Sequence, residues 1–326
     1  GPIIERHRIV TSFLDRLPRR SYRYYLPLYP AAIESLDLRG YPLVISTSHA
    51  VAKGCRPEPG ATHVSYIHTP MRYVWDQFDA YFGPGRAGPF TRAAAHLVAP
   101  WLRRWDVRST ARAHGLIANS CFVSDRMRRV WGRAADAVVY PPVETSRFRP
   151  SSDLLAAARG PEGYALMVSA LVPYKRIELA VQAFTRLGRK LVVAGDGPEL
   201  DRLIAQAGPT VRFLGGVPHE GLPRLYAGAS FFVLPGEEDF GIAPVESQSA
   251  GRPVLALGRG GALETVVPGR TGLFFEEPTV ESLLAGIEAM DRFSPDADPD
   301  LIHAHAERFA APRFGEELRE ALQRLT

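Results

Sequence analysis

From residue 164 to residue 275 the sequence repeats one alternation, and that alternation permits few folds. Short apolar runs at 164–169, 190–194, 211–214, 230–234, 253–257 and 272–275 are separated in most cases by stretches of helical spacing, such as 177–187 and 198–207. Short, mostly apolar runs of this kind predict strands covered on both faces. A helix after each strand supplies the crossover that a parallel neighbour needs. The pattern predicts a parallel, doubly wound α/β sheet. Pro198 suits the first turn of its helix, where the missing N–H costs nothing.

The first half is less regular. Strands are predicted at 41–46, 63–67, 115–118 and 136–140, with a long, arginine-rich helical stretch at 91–114. Residues 140–143, with consecutive prolines at 141 and 142, and residues 147–150, ending in Pro150, read as a linker, since consecutive prolines break strand and helix alike. This gives a first domain over 1–150, a second over 151–306, and a helical tail over 307–326. A Rossmann-like domain normally opens with a strand and a glycine-rich loop. Here Gly40 is the first glycine after Gly1, so the first domain is expected to lack its opening βαβ unit.

At 326 residues, 46% hydrophobic and 23% charged, the composition is globular and long enough for two cores. No apolar run approaches the roughly 18 residues that cross a bilayer, and no signal peptide is visible. Cys55 and Cys121 have no metal or redox spacing and read as reduced thiols of a cytoplasmic protein. Charge is unevenly placed. Residues 1–150 hold 22 Lys and Arg against 11 Asp and Glu, or +11; the remainder holds 17 against 24, or −7. A basic half points to an anionic partner. No zinc finger or RNP motif accompanies it, so nucleic acid is not expected. A membrane surface or a lipid-linked phosphate fits better, and the mixtures of arginine and aromatic residues at 19–29 and 101–105 suit peripheral contact, with packing of the arginine stems and rings inside the domain as the other reading.

The chemistry concentrates at Pro235-Gly-Glu-Glu-Asp-Phe-Gly-Ile-Ala-Pro-Val-Glu246. A strand enters this stretch and a helix leaves it, so unpaired N–H groups and the helix dipole make an anion site at the turn. Glu238 and Glu246 can accept hydrogen bonds from hydroxyls. A sugar nucleotide has both phosphate and hydroxyls; an ordinary βα turn with solvated acids is the other reading. Lys175 and Arg176 sit where a loop meets a helix N-terminus, a natural place for a diphosphate, or else form a solvated cation pair. Ser65-Tyr-Ile-His-Thr-Pro-Met-Arg-Tyr-Val-Trp-Asp76 places His68 at the C-terminal end of a strand, where open α/β sheets bind ligands. Its other reading is a core histidine capped by Thr69. His49 and Lys53 also follow a strand and are candidates for acceptor contact. The glycines of Gly258-Arg-Gly-Gly-Ala-Leu-Glu264 come too late in the domain for a dinucleotide fingerprint.

Glu-Asp-Phe-Gly-Ile-Ala-Pro-Val-Glu, with seven residues between Glu238 and Glu246, resembles the E-x7-E motif of retaining family-4 glycosyltransferases of the GT-B fold. His68 to Asp76 resembles the H-T-P-x-R-Y-x-W-D of bacterial mannosyltransferases that build O-antigen and exopolysaccharide. The resemblance implies two Rossmann-like doubly wound domains facing a cleft, with the tail crossing back to the first. It implies transfer of a hexose, above all mannose from GDP-mannose, to a glycan or lipid-linked acceptor with retention. Neither metal nor a cofactor beyond the donor is implied. Glu238 would then hold the sugar and His68 face it. Lys175, Arg176 and the backbone at Gly241, Ile242 and Ala243 would hold the diphosphate, Glu246 the ribose, and the backbone at Val217 the base. Ala170 departs from the family, which carries arginine there. A nucleotide-sugar-binding module without catalysis, and an NAD-dependent oxidoreductase, are the alternatives.

Overall fold

The computed structural model describes residues 6–18, 25–83, 88–149, 163–294 and 297–326. The chain divides into two compact units, Gly1–Val139 with Leu318–Thr326, and Tyr140–Glu317.

The first unit is built on a sheet that, among the described residues, has four strands in the order β1 (Leu43–Ser48), β2 (Thr62–Ile67), β3 (Gly115–Ala118) and β4 (Ala137–Val138). Every neighbouring pair is parallel. The central strands β2 and β3 are buried almost throughout, as a sheet covered on both faces requires. Among the described residues four helices accompany it: α1 (Tyr29–Glu34), α2 (Phe78–Phe82), α3 (Pro89–Thr110) and α4 (Cys121–Trp131). The sequence sets their ends. Pro89 opens α3. The Ser120 side chain caps α4 by accepting the Val123 N–H, and Gly132 closes it.

The second unit has β5 (Tyr164–Val168), β6 (Leu191–Ala194), β7 (Val211–Gly215), β8 (Ala229–Leu234), β9 (Val254–Leu257) and β10 (Gly272–Phe275). They form one parallel sheet in the order β10-β9-β8-β5-β6-β7. Each falls within a residue or two of its expected place. The helices are α5 (Ile177–Leu187), α6 (Leu200–Gln206), α7 (Leu222–Gly228), α8 (Ile242–Ser249), α9 (Ala262–Thr265), α10 (Val280–Phe293), α11 (Pro299–Ala306) and α12 (Ala311–Leu325). Successive strand residues point to opposite faces. Met167, Phe231, Val233 and Leu255 pack with Val181 and Phe184 of α5 and Ile287 of α10. Leu166, Phe232, Leu234 and Val254 pack on the other face with Tyr226 of α7 and Phe148. Each such side chain contributes about 1.5–3 kcal/mol of burial.

The strand order matters for function. The chain runs β5, β6, β7 outward on one side, then returns to β8 on the other side of β5. The order therefore reverses between β5 and β8. Open α/β sheets bind their ligands at such a switch point, beyond the carboxyl ends of the strands.

The stretch read as a linker is packed into the second unit. Val143 and Phe148 are buried. The Val143 N–H donates to the Phe309 carbonyl at 2.9 Å, and its carbonyl accepts the Ala311 N–H at 3.1 Å. The neighbouring prolines remove donors, and Val143 restores the backbone pairing. At the far end of α12, Leu325 lies against Gly115 at the start of β3; a Cβ there would come within 2.8 Å of Leu325 Cδ1. The last residues thus belong to the first unit.

Candidate functional site

The loops after β5, β8 and β9 meet at the switch point. Lys175 ends a 3-10 turn, Pro173–Lys175, after β5. Glu238 lies in the loop after β8. Because β5 and β8 are neighbours, the two side chains reach each other: Lys175 Nζ donates to Glu238 Oε1 in a mostly buried ion pair. The loop after β9 fixes Glu238 from behind, since the Gly261 N–H donates to the Glu238 carbonyl at 2.8 Å. The three loops touch backbone to backbone. A Cβ at Gly236 would stand 2.7 Å from the Lys175 carbonyl oxygen, and one at Gly261 would stand 2.4 Å from Phe240 Cα. Gly260 and Gly261 are therefore packed directly against the 238–240 backbone; a Cβ at Gly260 would come within 2.5 Å of the Glu238 carbonyl oxygen.

Phe240 anchors the turn. It is buried with Val143, Val245 and Phe309, its ring 5.6 Å from Tyr140 and 5.4 Å from Phe309. Gly241 then takes φ +94°, which a Cβ would strain, and α8 starts. Gly241 has no side chain to cap the helix, so the first N–H groups, at Ile242 and Ala243, stay available to an anion.

Glu246 lies one turn into α8. Its Oε2 accepts the Tyr226 O–H at 2.7 Å. Tyr226 is itself fully buried between Phe148, at 5.4 Å, and Phe232, at 6.0 Å. Burial pushes the Glu246 carboxyl above the ordinary glutamate value of 4.5. The Tyr226 hydrogen bond, then His219 and Arg147, pull the other way. Burial raises Tyr226 well above the usual tyrosine range, so it acts as donor to the carboxylate.

Arg176 is exposed and left-handed, φ +51°, where the chain turns into α5. Among the described residues it is the non-glycine with positive φ. Such a conformation costs about 1–3 kcal/mol and collects at ligand sites. Ala170, in the same loop, is exposed and carries no charge. Val217 follows β7, two strands from β5, and is half-buried.

His68 belongs to the first unit. It follows β2, its N–H donates to the Ser48 carbonyl at 2.8 Å, and its ring meets Tyr66 edge-on at 5.3 Å. Thr69 is not its cap; the Thr69 hydroxyl accepts from Arg126 at 3.1 Å. The rest of the segment is largely scaffolding. Met71 and Val74 are core, Asp76 pairs with Arg126 at 2.7 Å, and Trp75 Nε1 donates to Asp106 at 2.8 Å.

One expectation for the first half is corrected, and two side chains of the 101–105 stretch take the packing reading. Lys53 cannot touch an acceptor: it is fully buried, 3.0 Å from Asp106 Oδ1 and 2.7 Å from Ser109 Oγ. Arg103 does not face outward freely; its Nε donates to the Val74 carbonyl and its guanidinium lies 5.4 Å from the Trp75 ring. Trp105 donates to Glu34 at 2.6 Å and is half-buried. The basic stretch at 19–24 lies outside the described residues.

Sequence reasoning missed Tyr226. A signal existed: Leu222, Leu225 and Tyr226 share one helical face ahead of β8, and a buried tyrosine needs a partner for its O–H.

The fold so defined is that of GT-B glycosyltransferases. Sucrose-phosphate synthase from Thermosynechococcus elongatus superposes with a TM-score of 0.71 at 20% identity, covering 95% of this chain and 80% of that one. Anabaena HepE, in complex with UDP and glucose, gives 0.64 at 18% identity, covering 97% and 84%. Residues 156–291 match the family model "Glycosyl transferases group 1". A GDP-mannose-dependent alpha-(1-6)-phosphatidylinositol monomannoside mannosyltransferase from Mycolicibacterium smegmatis is 31% identical over 192 residues, 52% of this chain and 50% of the relative. A D-inositol 3-phosphate glycosyltransferase from Streptomyces avermitilis is 34% identical over 199 residues, 52% and 43%. The chain spans about half the length of these curated relatives.

Proposed function

We propose that this chain is a retaining hexosyltransferase that moves mannose from GDP-mannose to a glycan or lipid-linked acceptor. The observation that carries the reading is the Lys175–Glu238 pair at the switch point, beside the uncapped start of α8. The group 1 match and the mannosyltransferase names of several relatives support it. The diphosphate gains charge as the sugar leaves. Lys175, Arg176 and the N–H groups of Ile242 and Ala243 supply fixed positive potential there, the kind of term that dominates such catalysis. Glu238 accepts hydrogen bonds from the sugar, Glu246 from the ribose, and Val217 contacts the base through its backbone. His68 is assigned to the transferred sugar on the resemblance of its segment. Calorimetry with GDP, UDP and NAD, followed by an NMR assignment of the product anomer, tests the reading. Tight binding of UDP and not GDP, or an inverted product, overturns the donor or the stereochemistry. GDP binding with no transfer to any acceptor leaves a binding module.

Glu246→Ala should weaken GDP about 10- to 100-fold, the loss of hydrogen bonds to a charged group, about 1.5–3 kcal/mol. Glu238→Ala should keep GDP and lose transfer. Equal losses of GDP binding in both variants overturn this division.

GDP affinity should also depend on pH, with a definite sign. The ionised Glu246 accepts from both Tyr226 and a ribose through two charged oxygens, whereas the neutral acid is a weaker acceptor and commits one oxygen to its own proton. Its raised pKa means that acidification neutralises it above pH 4.5, the ordinary value, and affinity falls as pH falls through that point. Tyr226→Phe removes a hydrogen bond to the charged form and should move the midpoint higher still. Glu246→Gln should flatten the profile. A profile unchanged in Glu246→Gln would assign the titration to another group.

A further inference from the structure

We infer that the outer face of α3 (Pro89–Thr110) docks on an anionic lipid surface. This goes beyond the proposed transfer reaction and stands on a separate observation. Phe90 is 91% exposed, Leu97 82% and Trp101 47%. Their spacing of seven and four residues stacks them on one stripe of the helix. Ala93, Ala94 and Pro100 flank them and are exposed too. Arg104 and Arg108 continue the same stripe and are exposed. The opposite face packs inward through Ala99, Leu102, Asp106 and Ser109. Large apolar side chains lined up in water mark an interaction surface rather than chance exposure.

Charge selects the occupant. Asp106 is the one acidic residue in α3, and it is buried against Lys53. The exposed face therefore carries two arginines and no carboxylate. A second copy of this face would bring two more arginines and no counter-charge. A lipid surface supplies both needs: hydrocarbon for Phe90 and Leu97, an interfacial zone for the Trp101 indole, and phosphates for Arg104 and Arg108. No helix among the described residues is long and apolar enough to cross a membrane, so α3 would lie in the surface plane. The +11 balance of residues 1–150 adds long-range attraction of the same sign.

The test is co-sedimentation of the full chain with vesicles of phosphatidylcholine alone and of equimolar phosphatidylcholine and phosphatidylglycerol. Binding is expected only to the mixed vesicles and should fade as salt rises. Arg104→Gln and Arg108→Gln should each weaken it about fivefold. Phe90→Ser with Leu97→Ser should weaken it about tenfold or more. All four positions are exposed, and unchanged melting of the variants shows that folding is intact. Trp101 emission should shift to the blue on binding, and the shift should vanish in Trp101→Phe. Indifference of the wild-type chain to mixed vesicles at low salt overturns the inference. So does undiminished binding by the double serine variant. A concentration-dependent dimer that Leu97→Ser abolishes, without vesicle binding, would give the face to a second copy instead.

Discussion

Lys175→Ala is expected to slow turnover about a hundred- to a thousandfold, about 2.7–4 kcal/mol, by analogy with the loss of one donor to a developing oxyanion. Donor affinity should fall less, because charge on the diphosphate grows only as the sugar departs. The ion pair with Glu238 sharpens this expectation. The pair holds the ammonium in place, so the cation is positioned before any diphosphate reaches it. Removing Lys175 also leaves Glu238 mostly buried and without that partner. The two side chains should therefore behave as a unit. Lys175→Ala combined with Glu238→Ala should cost clearly less than the two single losses added together. Steady-state kinetics of the four proteins, with GDP titrated by calorimetry, give the comparison. Turnover unchanged in Lys175→Ala would move the phosphate clamp to Arg176. Strict additivity would show that the ion pair is incidental.

The second unit was legible because its information is local. The strands from β5 to β10 are short, mostly apolar runs, broken only by Arg212 in β7 and Ser230 in β8, and a glycine or proline follows close behind each. The Glu238 to Glu246 stretch could be read for the same reason: strand, turn and helix start lie within a dozen residues. What the sequence hid was pairing across distance. That Lys175 would close on Glu238 depends on β5 and β8 being neighbours, and β6 and β7 intervene in the chain. Tyr226 as the support of Glu246 depends on the same sheet order. The first half was harder because its polar residues serve two purposes. Trp75 and Asp76 sit in a segment that resembles a family signature, yet their side chains hold α3 and α4 in place. Arginine density gave the basic character of α3 correctly. It could not show that Arg103 packs on Trp75 while Arg104 faces water; the helical phase of each residue decides that.

Lys53 shows how far burial changes a reading, and its replacement should be the most destabilising substitution proposed. The ammonium is enclosed by the Asp106 carboxylate and carbonyl and by Ser109 Oγ, with the Trp131 ring 4.6 Å away. Burial holds it below the usual lysine pKa, and the Asp106 charge opposes that shift. Asp106 Oδ2 in turn accepts Nε1–H from both Trp75, at 2.8 Å, and Trp131, at 2.7 Å. One buried charge pair thus ties the loop after β1, the His68 segment, α3 and α4 together. Breaking such a pair by removing one member strands the other charge and costs about 3–5 kcal/mol. Lys53→Met should lower the melting transition of the first unit by roughly 10 °C, given about 2–4 °C per kcal/mol for a domain of this size. Asp106→Asn alone should cost a similar amount, because it strands Lys53. Lys53→Met with Asp106→Asn should recover much of the loss, since no charge is then left buried alone. Calorimetric melting of the three variants against the wild-type chain decides the matter. A Lys53→Met protein that melts normally while its acceptor KM rises would return Lys53 to the acceptor site and remove the hub.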